Sequence, residues 1–487
     1  MIVEFTIEKN SQIPFYRQLA AFLKEKIITG EIPDGAILPS ERTMAKLTGV
    51  HRNTVIKAYS LLKDHEFIDS HQGDGYYVTY NAEESQEPDM RMKINWSYII
   101  KDKYQDMEHT FDDLYQKFAK PDMISLATGM APAVYYENDI ESKLSEVLLE
   151  AGRRPSLLSP YQGDIDLRRE IVTFLRKRGI KAETSELQIV TETNQALDYI
   201  ISALLSEGDK VIIEEPVSPD VYRVLQLAGI VPVTVPVDEH GIICDHIEAL
   251  IEKHKPKLIY VNSSYHDPTG AMLSLERRKK IIELSNKYKI PVVEGDASSE
   301  LSFDGEHLPP VKSMDKSENV IYIYSFSLTF IPGITMAFVL APQKLIKVLA
   351  HLISIKMVSL DWMTQKLLAC YMKDGSYDEK LRQIVKLNKV KCDIMCSYLD
   401  KLYEEGVRYR KPEGGIYLWV KLPESISCRT LMTEALKKGV SVIPGILFYP
   451  EKNGGQNYIR LNYSYESKAR ISEGMEILVG IIRQLAH

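Results

Sequence analysis

The chain has 487 residues, of which 45% are apolar and 26% are charged, and its net charge at pH 7 is -7. This length predicts two or three domains, and this composition is typical of a soluble globular protein with a large core. The negative balance excludes a molecule that is basic throughout, so any site for nucleic acid has to be a local patch.

Membrane insertion, secretion and metal binding are disfavoured as well. No apolar run reaches the ~20 residues that a bilayer-spanning helix needs, and the N-terminus lacks the basic and apolar regions of a signal peptide. The cysteines are scattered and form no ligand or disulfide pattern: Cys244, Cys370, Cys392, Cys396 and Cys428. We therefore expect a cytoplasmic protein with free thiols, no metal site and no membrane partner.

The first eighty residues alternate between helix and turn signals. Pro14 is suited to the first position of a helix that ends at Gly30, and apolar residues recur between them at helical spacing: Phe15, Leu19, Phe22, Leu23 and Ile27. Ser40 is a good N-cap for a short second helix, whose inward residues are predicted to be Met44, Ala45 and Leu47.

A third helix and a hairpin are predicted to follow the turn at Gly49. The helix spans about 52–63, with an inner face formed by Val55, Ala58, Tyr59 and Leu62. Residues 67–78 alternate in polarity and turn at glycines, which predicts a two-stranded wing. Together these elements predict a winged helix-turn-helix.

Three short segments resemble the GntR family of bacterial transcription regulators: LPSER at 38–42, VHRNTV at 50–55 and GDG at 73–75. In this arrangement the third helix enters the major groove N-terminus first. Arginine suits guanine and asparagine suits adenine, so Arg52 and Asn53 are predicted to read bases. The predicted phosphate and wing contacts are Ser40, Arg42, Thr54, Lys57, Gly73 and Gly75.

The local charge supports a DNA-binding surface. Residues 40–63 contain five lysines and arginines and a single acidic residue, Glu41, which is the basic patch that duplex DNA requires. Two departures from the family pattern are His51, in place of the usual serine cap, and Asp74 at the wing tip. We expect the first to weaken the helix start and the second to reduce nonspecific affinity.

Residues 80–120 are predicted to link this DNA-binding domain, residues 1–79, to the rest of the chain. The segment 81–89 is polar, acidic and interrupted by Pro88, as expected of a tether. Beyond it, strand-like apolar runs alternate with helical ones, which predicts an α/β fold with a doubly wound, mostly parallel sheet. The predicted strands lie near 211–213, 231–237, 258–261, 292–293, 320–325 and 337–340, with two more in a smaller α+β subdomain at 417–420 and 458–462.

The order of motifs in this second part resembles the class I/II aminotransferases of fold type one. The matching segments are YQGD at 161–164, DPTG at 267–270, EGDA at 294–297, the glycine pair 414–415, and Arg460. The resemblance implies an aminotransferase-like large domain at 121–345 and a small subdomain at 346–487. With the N-terminal module, the whole chain resembles the MocR-type regulators, in which a GntR reader is fused to such a domain.

The segment 324–335 resembles the stretch that carries the cofactor lysine in that family. The family frame Ser-Phe-Ser-Lys-Thr corresponds here to Ser325-Phe326-Ser327-Leu328-Thr329. Leu328 therefore stands where the Schiff-base lysine is expected, and the amine that covalent catalysis needs is missing. A misalignment by one or two positions is the alternative, but no lysine occurs between Ser325 and Thr335.

Other positions that hold pyridoxal phosphate in the family also differ. The partner of the ring nitrogen corresponds to Gly295, that of the ring hydroxyl to Ala297, and the phosphate arginine to Thr335. The stacking aromatic corresponds to Ser218, and Glu192 lies where the phosphate would be held, which is electrostatically unfavourable. We expect no covalently bound pyridoxal phosphate and at most weak noncovalent binding, since each lost contact is worth roughly 1.5–3 kcal/mol.

Several polar residues remain that could line an effector pocket. Arg460 is open to two interpretations: a bidentate clamp for a carboxylate, or a structural ion pair, since a buried arginine needs a partner. Asp296 is expected to point away from Gly295 because side chains alternate along a strand. The candidates are Thr193, Asn194, Tyr265, His266, Asp267, Asp296, Ser325, Ser327, Thr335 and Arg460.

These observations predict a transcription regulator that binds double-stranded operator DNA. Its aminotransferase-like domain would have no catalytic residue, would form a homodimer, and would sense a small amino-acid-like or anionic effector. One alternative is a regulator or aminotransferase that retains some pyridoxal-phosphate chemistry. Another is a purely structural dimerisation scaffold without a ligand.

Overall fold

The computed structural model describes residues 5, 14–65, 67–71, 75–80, 122–129, 139–152, 158–450 and 454–486. The chain divides into two compact units, Met1–Lys101 and Asp102–His487. Nearly all of the predicted linker, from residue 81 onward, lies outside the described residues, as does the wing residue Gly73.

The described residues of the first unit form three helices and a hairpin. The helices are α1 (Phe15–Ile28), α2 (Glu41–Thr48) and α3 (Arg52–Asp64), and β1 (Ile68–His71) pairs antiparallel with β2 (Gly75–Val78). The predicted inner face of the third helix is confirmed, because Val55, Ala58, Tyr59 and Leu62 are all buried. The three helices and the hairpin form the predicted winged helix-turn-helix.

Two details of the first unit differ from prediction. Leu47 is 48% exposed and Thr48 is buried instead, because the inward face of α2 passes through positions four residues apart and the Thr48 hydroxyl donates to the Met44 carbonyl at 2.7 Å. Pro14 has an extended ψ of 143° and precedes α1, so the helix begins at Phe15.

The second unit is built on an eight-stranded sheet. Its order is β4-β11-β10-β9-β8-β5-β6-β7, in which β5, β6, β8, β9 and β10 pair in parallel. The α/β prediction is confirmed, and β10 is buried along all six residues, as a central parallel strand should be. These strands are β4 (Leu187–Val190), β5 (Lys210–Glu215), β6 (Val231–Asp238), β7 (Gly241–Ile242), β8 (Leu258–Asn262), β9 (Val292–Asp296), β10 (Val320–Ser325) and β11 (Ala337–Leu340).

Helices follow most of these strands and cover the sheet. In chain order they are α4 (Ile140–Ala151), α5 (Ile165–Lys177), α6 (Thr193–Leu204), α7 (Pro219–Leu227), α8 (Ile247–His254), α9 (Leu275–Tyr288), α10 (Val311–Met314), α11 (Gln343–Lys356), α12 (Trp362–Lys373) and α13 (Ser376–Asp400). The predicted subdomain boundary after residue 345 falls inside α11.

A smaller layer completes the second unit. A four-stranded antiparallel sheet has the order β12-β13-β16-β15, and β3 pairs in parallel with β14. Both predicted strands of this layer are present, as β13 and β16. The elements are β3 (Ile124–Ser125), β12 (Arg408–Tyr409), β13 (Tyr417–Lys421), α14 (Cys428–Lys437), β14 (Val440–Ser441), β15 (Ile443–Pro444), β16 (Tyr458–Asn462) and α15 (Lys468–Ala486).

Among the helices that the structure describes, none is long and apolar enough to cross a bilayer. The five cysteines are free thiols. Within the described ranges, no group of three or more histidine, cysteine or acidic side chains is arranged to hold a metal ion.

Candidate functional site

The N-terminal ends of α2 and α3 are capped by side chains. The Ser40 hydroxyl accepts from the Thr43 amide at 3.3 Å, which satisfies one of the free donors at the start of α2. His51 acts in the same way on α3, because its Nδ1 accepts from the Asn53 amide at 3.3 Å. The histidine thus supplies a cap where a weakened helix start was predicted.

The start of α3 presents the predicted base-reading residues to solvent. Arg52 and Asn53 are exposed, and so is Lys57 one turn further along. The Arg52 guanidinium lies 2.7 Å from the Glu41 carboxylate, an ion pair with side-chain exposures of 51% and 21%. Arg52 is therefore held in place by α2 while remaining open to a ligand.

The remaining predicted DNA contacts surround this helix end. Ser40 and Arg42 are exposed, and Thr54 is half-buried. Gly75 begins β2 with a φ of +82°, a left-handed conformation that favours glycine. Of the predicted DNA contacts, those within the described residues therefore lie on the N-terminal parts of α2 and α3 and on the β1–β2 hairpin.

In the second unit, Leu328 lies in a tight turn after β10. The Phe330 amide donates to the Phe326 carbonyl at 2.8 Å, and the Phe326 amide donates to the Met336 carbonyl at the same distance. Leu328 is half-buried and packs against the main core. This turn therefore presents a branched apolar side chain, which is neither a nucleophile nor a base.

A carboxylate lies beside this turn, at the N-terminus of α6. Glu192 is the N-cap of that helix and accepts from the Thr193 amide at 3.0 Å. The Ser325 hydroxyl donates to the same carboxylate at 3.0 Å, and the Ser327 hydroxyl donates to its other oxygen. The Thr193 hydroxyl also donates, at 3.1 Å. Three of the predicted pocket residues thus converge on Glu192, which the sequence placed at the expected phosphate position but not among the pocket candidates.

Arg460 and Asp267 form a second charged pair. Nη1 of Arg460 lies 2.7 Å from Oδ1 of Asp267, with side-chain exposures of 10% and 17%. The Tyr417 ring lies 4.3 Å from the guanidinium carbon. Burial would lower the pKa of Arg460, but the Asp267 carboxylate together with Tyr417 and Asp220 raises this pKa above its ordinary value. Of the two interpretations of Arg460, the ion pair is the arrangement observed.

The position of the expected ring-nitrogen partner is filled from a neighbouring strand. A Cβ added at Gly295 would lie 2.6 Å from the Tyr260 hydroxyl. Burial raises the pKa of Tyr260, and the carboxylates of Glu214, Asp267 and Asp220 raise it further. A side chain at residue 295 would therefore displace the tyrosine.

Asp296 points to the opposite face of the sheet and does not join Ser325 and Arg460. Its carboxylate pairs with Arg178 at 2.7 Å and accepts from the Tyr322 hydroxyl at 2.8 Å. Burial would raise the pKa of Asp296, but Arg178 together with the hydrogen bonds from Tyr322 and Ser299 holds this pKa below its ordinary value. Its place among the pocket candidates is therefore wrong, because alternation along β9 separates it from Gly295.

Four further candidates make no hydrogen bond to Glu192 among the contacts of the described residues. Tyr265 packs so closely on the glycine pair that a Cβ at Gly414 would lie 2.3 Å from its ring. His266 is 1% exposed, and its Nδ1 lies 2.8 Å from the Thr269 hydroxyl. Asn194 is half-buried at the start of α6, and Thr335 is exposed. Tyr265 and His266 thus belong to the packing around the turn at 267–270.

Asp220 is an acidic residue of the cleft that was not predicted. Its side chain remains in contact with solvent, yet its pKa is raised because surrounding protein atoms desolvate it and because the Asp267 carboxylate is near. Arg460 and Arg223 act in the other direction. Asp220 lies two residues after Ser218, the expected ring-stacking position, and this proximity was the available signal.

Two family models match the chain. "Aminotransferase class I and II" matches residues 121–478, and "Bacterial regulatory proteins, gntR family" matches residues 15–78. The HTH-type transcriptional regulator YdfD of Bacillus subtilis (strain 168) is 29% identical, over 98% of both chains. The HTH-type transcriptional regulator TauR of Rhodobacter capsulatus is 25% identical, over 99% of both.

A solved structure supports the fold of the second unit. LysN, the alpha-aminoadipate aminotransferase of Thermus thermophilus, complexed with N-(5'-phosphopyridoxyl)-L-leucine, has a TM-score of 0.74 and 27% identity. The match covers 80% of this chain and 99% of that one. The second unit thus has the architecture of an enzyme family, whereas the relatives that span the full length are named as regulators.

Proposed function

We propose a function from the premise that this chain belongs to the MocR-type regulators, in which a gntR-family DNA-binding domain is joined to a class I and II aminotransferase domain. The first unit reads operator DNA. The second unit is a non-catalytic domain that dimerises and responds to a small effector. The turn at Leu328, which offers no amine, is the observation that carries the non-catalytic assignment.

The exposed start of α3 supports the DNA-reading role. Arg52 and Asn53 face solvent from the first turn of α3, where a recognition helix meets base edges. Lys57 and Arg42 add positive charge beside them, which is the sequence-independent part of DNA affinity. The cap of the helix by His51 keeps this end ordered.

The cleft of the second unit does not fit pyridoxal phosphate. A Schiff base needs an amine where Leu328 lies. The Tyr260 hydroxyl occupies the space beside Gly295 that a ring-nitrogen carboxylate would need, and the Glu192 carboxylate lies among the hydroxyls at the phosphate end. We therefore infer that this domain neither holds the cofactor covalently nor performs transamination.

The cleft nevertheless has groups for a zwitterionic effector. Asp220 offers a solvent-contacting carboxylate near the pair formed by Asp267 and Arg460. An amino-acid-like ligand carries an ammonium and a carboxylate, and this region contains both complementary signs. A thermal-shift screen of amino acids against the full chain tests this role. If none raises the unfolding temperature, the domain is a ligand-free scaffold.

An exposed apolar surface supports dimerisation. Leu149, Leu158, Ile355 and Val358 are each between 65% and 82% exposed. A hydrogen bond from the Ser159 amide to the Ser359 hydroxyl, 2.9 Å long, joins two of the segments that carry them. Clustered exposed aliphatic side chains are typical of an interface. Two copies would place two readers on two half-sites.

One experiment tests regulator against enzyme. The purified chain is titrated with its own upstream DNA in a gel shift, with and without pyridoxal phosphate, and its visible absorption is recorded. We expect specific DNA binding that the cofactor leaves unchanged and no absorption from a bound aldimine. Visible absorption that an amine competitor bleaches would favour the alternative, a regulator or aminotransferase that retains cofactor chemistry.

A further inference from the structure

The subsite formed by Ser325, Ser327 and the first turn of α6 is built for an anion. Three hydroxyls and one backbone amide point at a single carboxylate, and the N-terminus of a twelve-residue helix adds positive potential. Such an arrangement stabilises phosphate groups in other proteins. Here, both oxygens of Glu192 take these hydrogen bonds.

We propose that the Glu192 carboxylate is the resident occupant of this anion subsite, and that it excludes phosphate-bearing ligands from the cleft. The inference rests on the non-catalytic function proposed above and makes it more specific. It makes Glu192 a specificity-determining residue: the cleft accepts ligands without a phosphate group.

Two physical effects combine in this exclusion. The side chain fills the space and uses the donors that a phosphate would need, and its negative charge repels a second anion at contact distance. Glu192 also comes from the chain itself, so it is present at every ligand concentration, and an incoming phosphate has to displace it. Asp267 engages Arg460 in a comparable way, because its carboxylate forms an ion pair with the guanidinium. Glu192 and Arg460 are thus both bound by groups of the chain itself.

The effects of occupancy and of charge can be separated by two substitutions. Glu192→Gln keeps the size and an accepting oxygen but removes the charge. Glu192→Ser empties the subsite and retains a good helix cap, and Glu192→Gly serves if the serine variant does not fold. A matched control is Asp198→Ser, which removes an exposed carboxylate from the same helix, α6, where it pairs with Lys356 and not with these hydroxyls.

The test measures binding of inorganic phosphate to the full-length proteins by calorimetry and thermal shift. We expect Glu192→Ser to bind phosphate at least about tenfold more tightly than wild type, Glu192→Gln or Asp198→Ser. Adding Ser327→Ala to the serine variant should remove most of this gain, since a hydrogen bond to a charged group is worth about 1.5–3 kcal/mol.

Three outcomes would overturn the proposal. Equal phosphate binding by wild type and Glu192→Ser would mean that the carboxylate does not occupy the subsite. If Glu192→Gln and Glu192→Ser bound phosphate equally more tightly than wild type, charge repulsion alone would explain the exclusion. Glu192 would then not be the occupant of the subsite. A gain that survives Ser327→Ala would place the phosphate elsewhere. None of these results affects DNA binding or the cofactor spectrum of the wild-type protein, which test the regulator function separately.

Discussion

Each unit contains an arginine that pairs with a carboxylate at the same distance, but only one of the two arginines is accessible to a ligand. Arg52 lies 2.7 Å from Glu41 and Arg460 lies 2.7 Å from Asp267. The exposures of the two arginine side chains are 51% and 10%. The length of the ion pair therefore does not decide whether a guanidinium can bind a ligand. The burial of the guanidinium does.

The reason is the cost of breaking each pair. An exposed pair contributes about 0–1 kcal/mol, because water screens the charges and solvates them when they separate. A buried pair whose partner is removed leaves a charge without solvent or counter-ion. Arg52 can exchange Glu41 for DNA at little cost, whereas Arg460 is committed to Asp267 unless a ligand replaces that carboxylate.

The largest expected effect comes from breaking the buried pair. Asp267→Ala should lower the free energy of unfolding by about 3 kcal/mol, because the buried Arg460 would lose its hydrogen-bonded counter-ion. Urea unfolding of the full chain, followed by tryptophan fluorescence, measures this loss. The control is Asp198→Ala, which removes an exposed pair with Lys356 and should cost less than about 1 kcal/mol. Similar losses in the two variants would contradict the comparison.

Removing Arg52 should weaken DNA recognition strongly. Arg52→Ala is expected to cost about 1–3 kcal/mol of operator affinity and to relax base preference at one position. Fluorescence anisotropy with operator and scrambled duplexes at fixed salt separates the two effects. Lys26→Ala on α1, which removes a lysine paired with Glu31, should change neither. Equal weakening on both duplexes would assign Arg52 to the phosphate backbone.

The third pair, between Arg178 and Asp296, predicts a pH effect. Because the folded pKa of Asp296 is lowered from its ordinary 3.8, its ionised form stabilises the fold above pH 3.8, and this contribution is lost as the pH falls through the folded pKa. In that window wild type should lose up to about 1.4 kcal/mol more per pH unit than Asp296→Asn. Parallel stability curves below pH 4 would refute the linkage.

The smallest effect is expected at the exposed pair itself. Glu41→Ala should change the stability of the first unit by less than about 1 kcal/mol, which corresponds to less than about a tenfold change in amide exchange of α2 and α3. Hydrogen exchange of the full chain measures this change, with Glu31→Ala as the control on an unrelated exposed pair. A loss as large as that from Asp267→Ala would mean that burial does not distinguish the two pairs.

The sequence alone determined the two-part organisation and most of the secondary structure. Helical spacing predicted α3, and the apolar runs predicted β10 and β11 with their observed bounds. The segment around Leu328 by itself indicates that the amine is missing. These features are local, because helix caps, apolar periodicity and the match to a short motif depend on residues that are close together in the sequence.

Which polar and charged side chains meet depends on how the chain folds. Glu192 and Ser325 are 133 residues apart in the chain, and Asp267 and Arg460 are 193 apart. No periodicity connects such positions, so the sequence left Arg460 open between a ligand clamp and an internal ion pair. The fold brings the Glu192 carboxylate to the Ser325 hydroxyl and the Asp267 carboxylate to Arg460, and it removes water around Asp267 and Arg460. This desolvation depends on the packing of the domain and not on any single segment. It keeps Arg460 paired with Asp267, whereas Arg52 remains accessible to a ligand.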